Sequence, residues 1–576
     1  MSCWRLNRAH KNTCPEAPAT PLRSGWAWST IRRISARLPC DLTSKAGCSM
    51  SLDYDWLIIG SGFGGSVSAL RLVEKGYSVA LLEKGQRYEG DDFPETNWNL
   101  KRWMWRPEIG FRGFFAMTML RHVTIVSGVG VGGGSLCYAN TLPIPKDEFF
   151  SLPSWGHLAD WKSELEPHYE TASSMLGATV NPHPAPADEV IREIAKDMGR
   201  EDAYSPTTVG VYFGEKEVEV PDPYFQGRGP SRTGCAQCGG CMIGCRNNAK
   251  NTLDKNYLYL AEKLGLILEA DTEVTWIRPL SGGGYEVHAL KGTSLFDRPS
   301  VVYTAKNVVF AGGVLGTVDL LLRLRRHRLG LPRLSSKVGS FVRTNSEVLM
   351  GVVTQKSDLD LSKGVAIGSI LHTDKNSHLE PVRYPEGSGF FRVLAAPNTS
   401  GDWLHQRVLR AIGTAIRDPV KLARIWTVGD WARRTVILLY MRTSEGYLQL
   451  RLGEMTDSLT TALDEGEPPK AFIPEATDLA ERVAEKIDGF PQSMITELIR
   501  GAPTTAHILG GACMAESPDK GVIDHRHRLF GYDGLYVIDG SAISANPGVN
   551  PSLTICALAE RAMSLIPAKN ELLDVA

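Results

Sequence analysis

The sequence predicts an α/β fold in which a parallel sheet of the Rossmann type forms the core of at least one domain. Three stretches support this prediction, at residues 54–74, 308–326 and 535–562, because in each a buried strand runs into a glycine or polar turn and then into a helix. Strands that alternate with helices are typical of a parallel sheet. At 576 residues the chain is also too long for one small core, so two or more lobes are expected.

The first of these stretches predicts dinucleotide binding. Its strand at 54–59 is followed by Gly60, Gly62 and Gly65 in G-x-G-x-x-G spacing, and a second strand ends at Glu83. The glycines permit a sharp turn, close approach to a pyrophosphate and tight helix packing, while the helix N-terminus supplies amide donors. Glu83 stands where a ribose 2′-hydroxyl is held, and its charge disfavours a 2′-phosphate, so NADP is the least favoured ligand.

Charge and hydropathy argue against two kinds of partner. Lys and Arg together number 63 and Asp and Glu 64, so nothing indicates nucleic-acid binding. No run of 18 apolar residues predicts a membrane span, and no apolar segment with a small-residue cleavage site predicts a secretory signal. We therefore expect a cytoplasmic or peripherally membrane-associated protein.

Residues 1–49 differ from the rest of the chain. They are rich in Arg and Lys, carry only Glu16 and Asp41 as acids, and show no sustained periodicity. Two interpretations stay open: an arginine-rich targeting or tail segment, or an extension upstream of a start at Met50. The second is favoured because Met50 lies just before the first strand, and disorder is expected in either case.

Four closely spaced cysteines are the least expected feature of the sequence. Cys235, Cys238, Cys241 and Cys245 have the C-x2-C-x2-C-x3-C spacing of ligands to a [4Fe–4S] cluster, but Arg246 replaces the proline that follows in ferredoxins. A structural turn, a zinc site and an iron–sulfur cluster all remain open. The 11 cysteines overall do not form the pattern of a disulfide-stapled secreted protein.

A basic helical stretch at 403–434 allows two interpretations. Its apolar residues alternate with Arg and Lys. It is either a solvated helix face, or a lid that touches a membrane surface while drawing an apolar substrate from it.

Five motifs together resemble the glucose–methanol–choline oxidoreductases, and within that family the bacterial cholesterol oxidases that bind FAD non-covalently. They are the G-x-G-x-x-G with Glu83, the glycine-rich run at 128–135, the strand and glycines at 308–313, His-x-Leu-Gly-Gly at 507–511 and Gly-Val-Asn-Pro-Ser-Leu-Thr-Ile at 548–555. The resemblance covers about residues 51–568 and is weakest at 330–500.

This resemblance implies FAD as the cofactor and a division into two domains. The expected flavin domain is discontinuous, with Rossmann-like topology, and the expected substrate domain has a mixed or antiparallel sheet. The flavin domain is expected at 51–150, 235–325 and 502–570, and the substrate-binding domain with its connections at 151–234 and 326–501.

The resemblance also implies a set of cofactor contacts. After the glycine run this chain has Tyr138, Ala139 and Asn140 where cholesterol oxidases have an asparagine and then glycines, so Asn140 is expected to replace the usual flavin contact. The implied cofactor-binding residues are Gly60, Gly62, Gly65, Glu83, Gly133, Gly134, Ser135, Asn140, Val274, Asp539, Gly540 and Asn550.

Alcohol oxidation needs a base for the hydroxyl proton, a group that holds the oxygen in line, and a hydride acceptor. By the resemblance, His507 and Asn550 are the active-site pair, and an imidazole suits proton transfer near neutral pH. Glu380 matches the isomerase glutamate, because a carboxylate in an apolar cavity has a raised pKa and can move a proton between carbons. Glu386 is a rival position for that role.

The expected reaction is oxidation of a 3β-hydroxysteroid to the 3-ketosteroid by FAD, with oxygen as acceptor, H₂O₂ as product and Δ5-to-Δ4 isomerisation as an added step. One alternative is a long-chain or other bulky alcohol oxidase or dehydrogenase of the same family. The other is an electron-transfer flavoprotein in which the four cysteines hold an iron–sulfur cluster. Similar cysteine-rich turns in a branch of the family that includes long-chain alcohol oxidases favour the structural turn.

Overall fold

The computed structural model describes residues 52–294, 297–399, 401, 403–417, 419–420, 423, 427–455, 457–463 and 468–573. The leader at 1–49, with its expected disorder, lies outside these residues. Within the described ranges, no helix has both the length and the apolar character needed to cross a bilayer.

The strands are short to medium in length and are numbered in chain order. They are β1 Tyr54–Ile59, β2 Val79–Leu82, β3 Trp105–Arg106, β4 Phe111–Arg112, β5 Phe115–Met119, β6 Thr124–Gly128, β7 Ala178–Val180, β8 Tyr204–Pro206, β9 Thr208–Gly210, β10 Glu219–Val220, β11 Arg232–Thr233, β12 Ile267–Glu269, β13 Thr272–Pro279, β14 Tyr285–Lys291, β15 Ser300–Phe310, β16 Val348–Thr354, β17 Ser369–His372, β18 Ser377–Val382, β19 Ala395–Pro397, β20 Thr435–Arg442, β21 Leu448–Leu452, β22 Leu459–Leu463, β23 Gly489–Met494, β24 Thr504–Thr505 and β25 Leu535–Val537.

The helices are numbered in the same way. They are α1 Phe63–Glu74, α2 Leu100–Trp103, α3 Asp147–Phe150, α4 Trp161–Met175, α5 Pro186–Asp197, α6 Tyr257–Lys263, α7 Gly313–Arg326, α8 Leu404–Arg417, α9 Trp431–Arg434, α10 Pro474–Ile487, α11 Ile495–Arg500, α12 Ser552–Ser564 and α13 Lys569–Leu573.

The first large sheet has the order β12-β2-β1-β15-β14-β13, with β25 also paired to β15. β12, β2, β1, β15 and β25 run parallel, while β14 and β13 add an antiparallel edge. Leu57 and Ile58 of β1 are both fully buried, as expected for a parallel strand covered on both faces. α1 packs against α6 and α12. The predicted β1–α1–β2 unit is therefore confirmed.

One strand prediction needs correction. The sequence suggests separate strands at 301–303 and 308–310, but the structure has the single strand β15. Its first half pairs with β14 and its second half with β1 and β25, so the intervening polar residues remain in a continuous ladder. Long-range pairing of this kind leaves no local signal in the sequence.

The second large sheet has the order β19-β23-β16-β20-β18-β17-β8, and its neighbouring strands are antiparallel. Successive side chains alternate between its two faces. On β20, Val436, Leu438 and Tyr440 pack in the cluster formed with α5 and α10, whereas Ile437 and Leu439 face the opposite side. The sheet thus has one face covered by helices and one turned toward the site described next.

The two sheets draw on the segments assigned to the two expected domains. Strands of the first sheet all lie within 51–150, 235–325 and 502–570, and strands of the second within 151–234 and 326–501. From residue 51 onward the chain nevertheless forms one unit. The domain division therefore stays a prediction.

Candidate active site

A cavity of about 1100 Å³ lies at the C-terminal ends of the parallel strands and extends to the open face of the second sheet. One end is formed by glycine-rich turns, the other by apolar side chains with a few polar groups. The two ends are described in turn.

The glycine turn after β1 forms the first end. Gly60, Gly62 and Gly64 line the cavity, and Gly62 is the N-cap of α1. A Cβ on Gly62 would meet nothing within 4 Å, whereas a Cβ on Gly64 would lie 1.8 Å from the Ile538 carbonyl oxygen. Gly62 thus leaves open space in front of the amide donors of the helix N-terminus, as a pyrophosphate requires.

Gly65 has a different role from its neighbours in the motif. A Cβ there would lie 2.0 Å from the Gly60 carbonyl oxygen, so Gly65 allows α1 to pack against the turn. It does not appear in the cavity wall of the described structure. This is the packing function that the motif assigns to its third glycine.

Glu83 lies at the end of β2 and lines the cavity. Its Oε2 accepts hydrogen bonds from the Ser61 amide at 3.0 Å and the Ser61 hydroxyl at 2.8 Å, and its Oε1 accepts from the Gly85 amide at 2.9 Å. A carboxylate has about four lone-pair sites, so three bonds fix its position and leave capacity for a ribose hydroxyl. Val274, also in the wall, lies nearby on β13.

Asp539 and Gly540 line the cavity where β25 ends. Asp539 accepts hydrogen bonds from the Ser541 amide at 2.8 Å and from the Thr317 hydroxyl at 2.6 Å. Burial raises the pKa of Asp539 despite these bonds. The carboxylate therefore ties β25 to α7, whose glycine-rich start at Gly313 also lines the cavity.

The glycine run after β6 divides into lining and supporting residues. Gly133 and Gly134 line the cavity. Ser135 does not appear in the wall of the described structure, because its hydroxyl donates to the Gly132 carbonyl at 2.7 Å and accepts from the Leu253 amide at 3.1 Å. The Ser135 hydroxyl thus holds the turn, and the cofactor contact expected of Ser135 stays a prediction.

Asn140 is fully buried at a positive φ of 56°. Both ends of its side-chain amide lack a hydrogen-bond partner among the described residues, although its neighbours Ala139 and Thr141 line the cavity. A buried amide without partners is costly. Asn140 itself does not appear in the cavity wall of the described structure, so the flavin contact expected of it stays a prediction. The open space at Gly62 and the carboxylate of Glu83 fit a dinucleotide at this end of the cavity.

His507 and Asn550 meet at the other end of the cavity, and both line its wall. His507 Nε2 lies 3.5 Å from the Asn550 amide. The rest of the wall here comes from the second sheet, whose Leu439, Ile437 and Val382 present aliphatic side chains. The predicted pair is thus brought together although 43 positions separate the two residues along the chain.

Glu347 completes the surroundings of His507 and was not predicted from the sequence. The His507 Nδ1 is hydrogen-bonded to Glu347 Oε2, and Oε1 of the same carboxylate accepts the Ala506 amide at 2.5 Å. Glu347 lies just before β16 and is buried. An acid preceding an apolar strand was the one available signal, and it is too common to single out.

Burial lowers the pKa of His507, but the charges of Glu347 and Glu380 and the Glu347 hydrogen bond outweigh burial and raise it above the ordinary value. A carboxylate on Nδ1 fixes the tautomer so that Nε2 faces the cavity. The imidazole can accept a proton at Nε2 and is stabilised once protonated.

Glu380 joins the site through Asn550. With the Asn550 amide nitrogen turned toward Glu380, the orientation in which both ends of the amide have a partner, that nitrogen lies 2.9 and 3.2 Å from the two carboxylate oxygens. Glu380 itself is fully buried and does not appear in the cavity wall of the described structure. Its rival Glu386 binds Lys363 at the surface, at 3.1 Å.

Cys235, Cys241 and Cys245 pack with Val209, Val211, Ala249 and Val365, whereas Cys238 is exposed. Across the described residues, no group of three or more His, Cys, Asp or Glu side chains is placed to hold a metal ion. Burial raises the pKa of the Cys235 thiol to about 12. The structural turn stays the favoured prediction for this segment.

Known proteins match this chain in segments that contribute to both ends of the cavity. A GMC oxidoreductase family model matches residues 450–559, and an NAD(P)-binding Rossmann-like domain matches 58–122. A cholesterol oxidase of Acinetobacter baumannii is 44% identical over 90% of this chain and 95% of its own length. A cholesterol oxidase of Mycobacterium tuberculosis H37Rv is 45% identical over 91% of this chain and 92% of its own length.

A solved structure also shares the fold. Pyridoxine 4-oxidase from Mesorbium loti aligns with a TM-score of 0.56 at 14% identity and covers 88% of this chain and 98% of its own. At this identity the likeness concerns the fold alone.

Proposed function

The chain belongs to the GMC oxidoreductase family, and we propose that it oxidises the 3β-hydroxyl of a cholesterol-like sterol to a ketone with FAD as cofactor. The observation that supports this proposal most strongly is one cavity in which His507 and Asn550 lie between the glycine-rich end and the aliphatic face of the second sheet. The cholesterol oxidases at 44 and 45% identity support the choice of a sterol.

The residues that would hold FAD are those of the glycine-rich end. The amides after Gly62 would face the pyrophosphate, Glu83 the ribose, and Asp539 the chain toward the flavin ring. The chemistry that FAD supplies when bound is acceptance of a hydride from the hydroxyl-bearing carbon.

His507 would act as the base. Its Nε2 faces the cavity and can take the hydroxyl proton, while Glu347 holds Nδ1 and stabilises the imidazolium that results. Asn550 cannot titrate, so its amide would hold the hydroxyl oxygen in line. The aliphatic side chains of β18 and β20 would cover the sterol rings and exclude water.

We further propose oxygen as the electron acceptor and Δ5-to-Δ4 isomerisation with Glu380 as the proton carrier. Glu380 contacts Asn550 from behind, so a small movement of the amide would bring the carboxylate to the cavity. Glu380→Gln should oxidise cholesterol but accumulate the Δ5-3-ketone, measured by chromatography of the products. Unchanged Δ4 product in this variant would contradict the assignment.

The reaction itself is tested by turnover of purified enzyme on a matched panel of sterols and long-chain alcohols. We expect peroxide and a ketosteroid from cholesterol, and much slower turnover of the fatty alcohols. Peroxide from fatty alcohols alone would favour the long-chain alcohol oxidase alternative. Turnover with an artificial dye but not with oxygen would contradict oxygen as the electron acceptor and leave the proposed substrate unchanged.

Peripheral contact with a bilayer is proposed for α8. This helix exposes Trp403 just before its start, by 65%, and Leu409 and Ile416 along its length. α8 packs against β19 and α11, and Ala395 at the start of β19 lines the cavity. Leu409→Ser with Ile416→Ser should weaken co-flotation with anionic sterol vesicles while turnover of detergent-solubilised sterol stays unchanged. Equal flotation of this variant and wild type would contradict the contact.

A further inference from the structure

Two histidines lie on the same face of the second sheet as Glu380. His378 stands two residues before Glu380 on β18, and side chains two apart share a face. His372 on β17 is directly opposite His378 in the antiparallel register. Glu380, His378 and His372 therefore form a row that runs from the catalytic end of the cavity toward the edge of the sheet.

The distances make this row continuous. His378 Nε2 lies 3.5 Å from Glu380 Oε1, and the rings of His378 and His372 have centroids 5.9 Å apart. His378 is only 1% exposed, whereas His372 is partly exposed and forms the outer end. At the second spacing the two rings are in edge-to-face contact.

Packing leaves both histidines short of hydrogen bonds. His378 Nε2 has no hydrogen bond among the described residues and only the 3.5 Å contact with Glu380, and His372 Nδ1 is a buried atom without a hydrogen-bond partner there. On the same sheet face, Val382, Leu439 and Met441 are apolar, and aliphatic side chains at 372 and 378 would avoid the cost of unpaired nitrogens. A structural role alone therefore accounts poorly for this pair.

Glu380 needs such neighbours if its protonation state is to change. It is fully buried and absent from the cavity wall of the described structure, and Asn550, its partner on one side, cannot titrate. On the other side its titratable contact is His378. Protons can thus reach or leave Glu380 through His378.

We infer that His378 and His372 form a proton route between Glu380 and solvent, and that this route passes one proton to solvent while the cofactor is reduced and returns one while it is reoxidised. The inference rests on the proposed function. Oxidation of the alcohol to the ketone removes a hydride, which goes to the bound cofactor, and the hydroxyl proton, which goes to His507.

The proton that arrives on His507 acts on Glu380 through their mutual charge. The charge of Glu380 is one of the causes that raise the pKa of His507, so a protonated His507 and a proton held between Glu380 and His378 repel each other. That proton then leaves through His372. The hydride and the hydroxyl proton stay in the site and carry opposite charges, so the reduced site holds one more negative charge until a proton returns by the same route on reoxidation.

The groups around His372 favour rapid release of a proton from its imidazole to solvent. Burial, then the charges of Lys146, His378 and Arg200, lower the pKa of His372 to about 4. A neutral imidazole with two nitrogens can accept a proton on one side and pass one on from the other. Lys146 is held nearby through the carbonyls of Asp374 and Lys375.

The experiment follows proton release in a weakly buffered, anaerobic single turnover, using a pH-indicator dye alongside the flavin absorbance. In the wild type we expect proton release to keep pace with flavin reduction. In His378→Gln we expect reduction within about twofold of wild type but release slowed by at least about tenfold, and restored by added imidazole in His378→Ala. Release that keeps pace in both variants would overturn the route.

Two further measurements keep the outcome decisive. If His378 variants fail to fold, His372→Gln at the outer end should show the same lag. The matched control is His527→Asn, because His527 is also buried with an unpartnered Nε2 but hydrogen-bonds the Val537 carbonyl, away from the row. His527→Asn should show no lag.

A readout without substrate separates this inference from the proposed function. Histidine NMR of the resting enzyme at one fixed pH should show the His378 ring signals displaced in Glu380→Gln and the His527 signals unmoved, since Glu380 lies 3.5 Å from His378. Unmoved His378 signals would overturn the contact on which the route depends even if sterol oxidation holds. Absence of flavin reduction by any sterol in wild type, with the His378 signals displaced, would instead count against the substrate.

Discussion

The two ends of the cavity are built in different ways. The dinucleotide end consists mainly of backbone: glycine turns and helix starts at Gly62, Gly133 and Gly313. The catalytic end consists of side chains, with His507 and Asn550 from the C-terminal part of the chain resting on Glu347 and Glu380 from the second sheet. A site formed by backbone atoms can be encoded by short contiguous motifs. A site formed by side chains depends on residues that are distant in the sequence and close in the fold.

The largest effect is expected at the catalytic end. His507→Gln should lower kcat/KM by about 10²- to 10⁴-fold, because it removes the base but keeps a hydrogen-bonding side chain of similar size. Steady-state kinetics on the preferred alcohol measures the effect. His157→Gln is the control, since His157 is half-exposed and pairs with Glu516 at 3.1 Å. A loss below tenfold in His507→Gln would break the assignment.

At the dinucleotide end, two neighbouring glycines should respond in opposite ways. Gly64→Ala places a Cβ 1.8 Å from the Ile538 carbonyl and should lower the free energy of unfolding by about 3 kcal/mol. Gly62→Ala meets nothing within 4 Å and should leave the apoprotein as stable as wild type while weakening FAD binding. Denaturant unfolding and flavin fluorescence titration measure the two effects. Equal FAD affinity in Gly62→Ala would contradict dinucleotide binding at this end.

The difference between the ends also explains what sequence could predict. The β1–α1–β2 unit and its glycines were predictable because turn, helix and acid lie within 30 residues in fixed order. His507 and Asn550 could be named by family resemblance. Glu347 and His378 could not be predicted. They reach the site through the pairing register of strands within residues 347–442, and no local sequence pattern encodes that register.

Glu347→Gln should change the pH profile of kcat/KM, which tests how the side chains of the catalytic end act on one another. Glu347 raises the pKa of His507 against the effect of burial, so its loss should lower that pKa. Because the base must be neutral, activity falls as pH drops through this pKa. The acid limb of kcat/KM should therefore move to lower pH, with a lower plateau. An acid limb that stays in place would show that Glu347 only packs against His507.

The smallest effect is expected at the cysteine turn, outside both ends. Cys238→Ser should change kcat/KM by less than about twofold and the free energy of unfolding by less than about 0.5 kcal/mol, because Cys238 is exposed and its thiol lies a full 4.0 Å from the Asn247 amide. Metal analysis of wild type and variant accompanies the kinetics. Iron or zinc present in wild type and lost in the variant would restore the cluster interpretation.

If one continuous cavity takes both ligands, as the proposed function requires, the order of binding matters. FAD at the glycine-rich end would form part of the wall that a sterol meets, so the sterol surface would be complete only after FAD has bound. Apoprotein should therefore retain sterol poorly, and flavin loading becomes the step that creates the lipid pocket. A cell short of riboflavin would then hold protein that neither oxidises nor sequesters its substrate.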